Sequence, residues 1–125
     1  MEKLFLSYEL ALEVKTLGFD EPCLFDYNRW NTERLNSSYY NYVNYNAGET
    51  MVSAPLFQQV FKWFRDKYDL WFRPDYYDEM REYDYQGSIH QLGRYSSLAS
   101  LDNCKTVEEL EAKCIDKLIE IVKNK

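Results

Sequence analysis

The sequence predicts a single α+β domain spanning residues 1–125, with three helices packed on an antiparallel sheet of about four strands in the order α-β-β-α-β-β-α. Three observations carry that expectation. Residues 53–68, SAPLFQQVFKWFRDKY, place Leu56, Phe57, Val60, Phe61, Phe64 and Tyr68 at helical spacing, with Gln58, Gln59, Lys62, Arg65 and Asp66 on the other side. Short aromatic segments with strand-like alternation lie in pairs before and after that run. Two further amphipathic stretches, near each end, each carry one apolar stripe, and helices on one face of an antiparallel sheet are the simplest way to bury all three stripes.

In chain order, Ser7 is placed to cap a first helix reaching about Leu17, with Leu10, Ala11, Val14 and Leu17 inward and Glu9, Glu13 and Lys15 outward. Gly18 supplies the left-handed residue that closes a helix, Phe19 folds back onto Val14, and Pro22 blocks immediate re-entry. Residues 23–30, CLFDYNRW, read as a strand with Cys23, Phe25 and Tyr27 on one face. Residues 31–38 read as a turn or loop, 39–45 (YYNYVNY) as the strand completing a hairpin, and 46–48 as its end. The central helix follows, with Ser53 as its cap and Pro55 in its first turn.

After it, residues 70–73 read as a third strand, short or irregular because Pro74 removes a ladder donor and suggests an edge or a bulge. Residues 83–92 form the fourth, with Gly87 as a candidate bulge, and residues 93–105 read as a loop with Leu98 and Leu101 tucked beneath it. Thr106 and Glu109 have the spacing of a capping box for a last helix to about Val122. Its inward stripe is Val107, Leu110, Cys114, Leu118 and Ile121.

A chain of 125 residues buries roughly two thirds of its unfolded surface. With twelve Tyr, seven Phe and three Trp, the core is expected to be built from rings. The odd number of cysteines, Cys23, Cys104 and Cys114, is unlike a secreted disulfide framework and points to reduced thiols. A net charge of −6 argues against direct nucleic-acid binding, which clustered Lys and Arg drive. No run approaches the ~18 apolar residues of a membrane span, and MEKLFLSYEL lacks signal-peptide anatomy, so the expectation is a cytoplasmic protein without a membrane partner.

The run LGFDEPC at residues 17–23, the helix APLFQQVFKWFRDKY at 54–68 and the closing TVEELEAKCIDKLIEIVK at 106–123 resemble a family of small uncharacterised proteins encoded by bacteriophages and prophages. Residues 29–50 and the second hairpin lie outside the resemblance. It implies a phage or prophage origin, hence a bacterial host, and supplies no activity, cofactor or catalytic residue.

His90 is the only histidine, which excludes a two-histidine metal site or acid–base pair within one chain. Together with Cys23 or Cys104 it forms a nominal thiol–imidazole pair whose spacing gives no support, against the plainer reading of a solvated strand histidine. No CxxC pair, HExxH, phosphate-binding glycine loop or nucleophile elbow occurs, so no enzyme, cofactor or metal is expected. Two surfaces remain. Residues 36–46, NSSYYNYVNYN, have a recognition-surface composition, which makes Tyr39, Tyr40, Tyr42 and Tyr45 candidate contact residues; the alternative is that these tyrosines simply pack and cover a sheet. Residues 66–84 carry seven acidic against three basic side chains, and Asp75, Asp78, Glu79, Glu82 and Asp84 either imitate a nucleic-acid backbone or merely solvate a hairpin. The expected function is therefore non-enzymatic contact with an unidentified protein partner, host or phage, with an acidic mimic or inhibitor of a host nucleic-acid-binding or defence protein as the alternative.

Overall fold

A computed structural model describes residues 2–28, 31–37, 41–76, 85–94 and 96–124. The class is α+β. Among the described residues there are three α-helices and two three-stranded antiparallel sheets. The chain groups into two compact units, Met1–Gln59 and Val60–Lys125, and the boundary falls inside the central helix.

In the first unit, helix α1 (Tyr8–Thr16) starts where Ser7 Oγ accepts the Leu10 N–H at 3.4 Å, and it buries Ala11 and Val14. It stops as expected. Gly18 turns left-handed at φ 98°, its N–H reaches Lys15 O at 3.0 Å, and Phe19 N–H reaches Val14 O at 3.0 Å, which lays the Phe19 ring in the core. Lys15 Nζ then donates to Gly48 O at 2.9 Å and Met51 O at 2.7 Å, tying α1 to the chain at residues 48–51.

The first sheet has the order β2-β1-β3, with β1 at Asp26–Asn28, β2 at Asn31–Asn36 and β3 at Met51–Ser53. Tyr27 anchors it. Its ring meets Tyr8 edge-on at 5.9 Å, and its hydroxyl donates to Leu6 O at 2.8 Å, so the polar end is satisfied while the ring is buried. Two expectations change here. Residues 31–36, expected as a turn, form edge strand β2, whose polar composition hides the alternation that marks a half-buried strand. The expected strand at 39–45 reduces, in its described part, to one bridge at Val43 opposite Cys23 and a 3-10 turn at Tyr45–Ala47, because Asn44 Oδ1 caps that turn by accepting the Asn46 N–H at 3.0 Å.

Helix α2 (Phe57–Tyr68) begins four residues later than expected. Ser53 ends β3, giving its N–H to Asn46 Oδ1 at 2.7 Å, and Pro55 O accepts from Leu6 N–H at 3.0 Å, so the APL run stays extended. Leu56, expected on the buried stripe, is therefore outside the helix and exposed.

In the second unit, Val60, Phe61, Trp63 and Phe64 of α2 are buried, and Asp69 closes the helix in the left-handed region at φ 58°, its N–H on Arg65 O at 3.0 Å. The second sheet, β4-β5-β6, comprises Leu70–Tyr76, Tyr85–Gln91 and Ala99–Cys104. Pro74 is tolerated because β4 is an edge strand. Phe72 stacks on Phe61 at 4.7 Å between centroids, and Ile89 beside it is fully buried. Strand β6 replaces the expected loop over part of 93–105, although Leu98 and Leu101 are half-buried as anticipated. The register with β5 slips between Tyr85 and Gly87, where Asp102 and Asn103 stand against Gln86 alone and Asn103 adopts φ 57°.

Helix α3 (Val107–Lys123) packs on β5 and β6 through Leu110, Cys114, Ile115, Leu118 and Ile119. Thr106 Oγ1 accepts the Glu109 N–H at 3.0 Å, while Glu109 Oε2 accepts from Lys105 N–H at 2.9 Å, one residue before the reciprocal partner expected. Val107 and Ile121 are only half-buried, so the inward stripe is rotated toward Ile115 and Ile119.

Candidate functional site

Of the tyrosines offered by the sequence as contact residues, Tyr42 is 67 % exposed and Tyr45 is 2 % exposed. Tyr45 does not belong to a recognition surface. It sits in the 3-10 turn with its ring buried and its hydroxyl within reach of Leu24 O at 3.3 Å and Asn41 O at 3.4 Å. Tyr39, Tyr40, Asp78, Glu79, Glu82 and Asp84 lie outside the described residues, and Asp75 stands in β4 opposite Gln86. Of the remaining acids in 66–76, Asp66 is paired with Lys62 at 2.7 Å, which holds its carboxyl below the usual range, and Asp69 accepts the Trp71 indole N–H at 3.1 Å.

Tyr42 borders a pocket of about 70 Å³ in the first unit, several times the roughly 10–15 Å³ that one water requires. Cys23 and Ala54 are its buried members, Phe5, Leu24, Phe25 and Gln59 are half-buried, and Leu56 joins Tyr42 as an exposed member at 40 %. Phe5 and Phe25 meet edge-on at 5.2 Å, which stiffens that wall. The LGFDEPC and APLFQQ runs, more than thirty positions apart, converge here. Gln59 Nε2 donates to Pro22 O at 3.0 Å, and Cys23 Sγ lies 3.7 Å from Gln59 Oε1 and 3.6 Å from Glu21 O. Sequence reading missed this pocket because it placed Leu56 on the inner stripe of a helix; the glutamine pair ahead of the aromatic run was the one local signal of a polar clamp.

The thiols are held protonated. Burial pushes Cys23 up to about 12, with the Glu21 charge adding and hydrogen bonds from Ser53 and Gln59 opposing. Burial also raises Cys114 and Cys104. Cys104 stands opposite Tyr85 at one end of β5, whereas His90 stands opposite Trp71 near the other. Five residues of strand separate them by roughly 17 Å, which dissolves the nominal Cys104–His90 pair. His90 Nε2 is instead 2.7 Å from Ser88 Oγ. Among the described residues no group of three or more His, Cys, Asp or Glu is arranged to hold a metal ion, and no helix is long and apolar enough to cross a membrane.

No protein-family model, curated protein or solved structure matches the chain.

Proposed function

We propose that this is a non-enzymatic protein of phage or prophage type, acting in the bacterial cytoplasm by contact with a host or phage protein, and that Tyr42 and Leu56 make the contact around the pocket above Cys23. The observation that carries this is the pairing of two large exposed side chains, Tyr42 and Leu56, at a concavity lined by Phe5, Phe25 and Ala54. Apolar area at such a site favours being covered by about 25 cal/mol per Å², and a tyrosine brings contact area with few rotamers to freeze. Residues of the 17–23 and 54–68 runs both line the pocket, through Cys23 on one side and Ala54, Leu56 and Gln59 on the other. Thiols kept protonated by burial favour binding over thiol-based catalysis.

The test is capture from host lysate at about 1 M salt, where the Debye length is ~3 Å and an apolar contact persists while charge-driven capture is lost. A prey protein retained by the unaltered chain and lost with Tyr42→Ala or Leu56→Ser supports the reading. Prey released by salt points to the acidic 66–84 segment and mimicry. Loss of the biological effect in a folded His90→Ala protein restores an enzymatic role.

A further inference from the structure

The second sheet has two unlike faces. Phe72, Gly87 and Ile89 turn toward the Phe61 ring and α3, and the alternate positions Trp71, Arg73, Ser88 and His90 turn the other way. Register sets Trp71 opposite His90, Arg73 opposite Ser88, and Ser88 opposite Ser100. Trp71 is 40 % exposed, and Arg73 and Ser100 are exposed. Arg65 holds its guanidinium 4.9 Å from the Trp71 ring centroid, while the indole N–H is taken by Asp69. Next to Ser88 the face opens into a depression of about 340 Å³ bordered by Gln86, Ser100 and Asp102.

The charges on this face are unbalanced row by row. Lys62, Lys113 and Lys117 each pair with a carboxylate on their own helix, but among the described residues neither Arg65 nor Arg73 has an ion-pair partner. Among the described carboxylates, Asp69 accepts the Trp71 indole N–H at one end, Asp102 borders the depression at the other, and Asp66 lies close enough to Arg65 to feel its charge. The Trp71–His90 row, with Arg65 over its indole, and the Arg73–Ser88–Ser100 row hold two guanidinium groups, an imidazole and two hydroxyls, and no described acid is itself a register member of either row.

We propose that this band, with Arg65 and Arg73 as its principal donors, binds carboxylate side chains on a short, extended, acidic segment of a partner protein. A guanidinium fork matches a carboxylate bidentately, and stacking on Trp71 holds the Arg65 fork in place before the ligand arrives. Alternate residues of an extended segment recur about every 7 Å, the interval between the Trp71 and Arg73 rows. The acids at both ends oppose a continuous polyanion and accept a short one, which selects a peptide over a nucleic acid for a chain of net charge −6.

The experiment titrates the blocked pentapeptide TEVET into the full isotope-labelled chain and follows the Trp71 indole N–H and the Ser88 and Ser100 amides by NMR. Saturable shifts are expected, absent with TQVQT, with affinity about tenfold weaker in Arg65→Gln and in Arg73→Gln, both confirmed folded by thermal unfolding. No shift with TEVET, equal shifts with TQVQT, unchanged affinity in both arginine variants, or displacement of the peptide by oligothymidylate at physiological salt overturns the proposal. None of these readouts involves Tyr42 or Leu56, so failure here is distinguishable from failure of the pocket reading.

Discussion

Gly87→Ala is the sharpest single test of how the second unit is assembled. A Cβ at this buried position would lie 2.7 Å from Phe72 Cε1, 3.2 Å from Arg73 O and 3.4 Å from Phe72 Cζ. The first distance is closer than carbon atoms tolerate, and two of the three contacts are with one ring. Moving that ring aside disturbs its contact with Phe61 at 4.7 Å, and Phe61 is itself buried. The backbone of Gly87 is outside the left-handed region, so the cost is steric and overpacking of this kind runs to about 1–3 kcal/mol. For a chain of this length each kcal/mol lowers Tm by roughly 3–5 °C, so thermal and urea unfolding followed by circular dichroism resolve the effect. In a Phe72→Leu background, where the obstructing ring is gone, the added methyl should cost less than about 1 kcal/mol, a coupling expected of side chains in contact. An alanine variant within about 0.5 kcal/mol of the parent, or an equal penalty in both backgrounds, would refute this account of why β5 carries a glycine there.

The start of α3 makes a second prediction. Thr106→Ala removes the acceptor for the Glu109 N–H and should cost about 1 kcal/mol, with Thr106→Ser restoring most of it, measured by urea unfolding. Glu109 is held below its ordinary 4.5, first by accepting the Lys105 N–H and then by Lys113 nearby. Its folded pKa is the lower one, so its contribution is present above the unfolded pKa and disappears as pH falls through the folded value; Glu109→Gln should flatten the acid limb of stability against pH below about 4.5. As for the thiols, native protein at about pH 8 should react with a disulfide reagent on the order of a hundredfold or more slower than unfolded protein, since Cys23, Cys104 and Cys114 are buried and shifted upward. One cysteine reacting at the rate of a free thiol would contradict that burial.

Features decided by neighbours in sequence were legible in advance. The Ser7 cap, the Gly18 stop with Phe19 folded back, the Thr106 cap and the edge role of Pro74 each depend on a few adjacent residues, whose side-chain oxygens, missing Cβ or missing N–H restrict the backbone directly. Gly87 was legible as an irregularity, but its cause was not, since Phe72 approaches from the neighbouring strand.

The candidate surface shows the same division. Tyr42 was named by composition and is exposed, while Tyr45, three residues on, had the same composition and is buried. Leu56 followed the helical period of the residues after it, yet the Leu6 N–H bond to Pro55 O keeps its segment extended and leaves it outside.

The amino-acid order on its own determined the α+β class, the three helices, and where two of them begin and one stops, because local sterics and capping bonds act over a single turn. Tertiary structure alone decided that, among the described residues, six strands divide between two sheets, that polar β2 and β6 complete them, and that Cys23, Leu56 and Gln59 meet at one pocket. An edge strand draws its order from the hydrogen bonds of the strand beside it, and a pocket from segments distant along the chain, so neither leaves a period in its own residues.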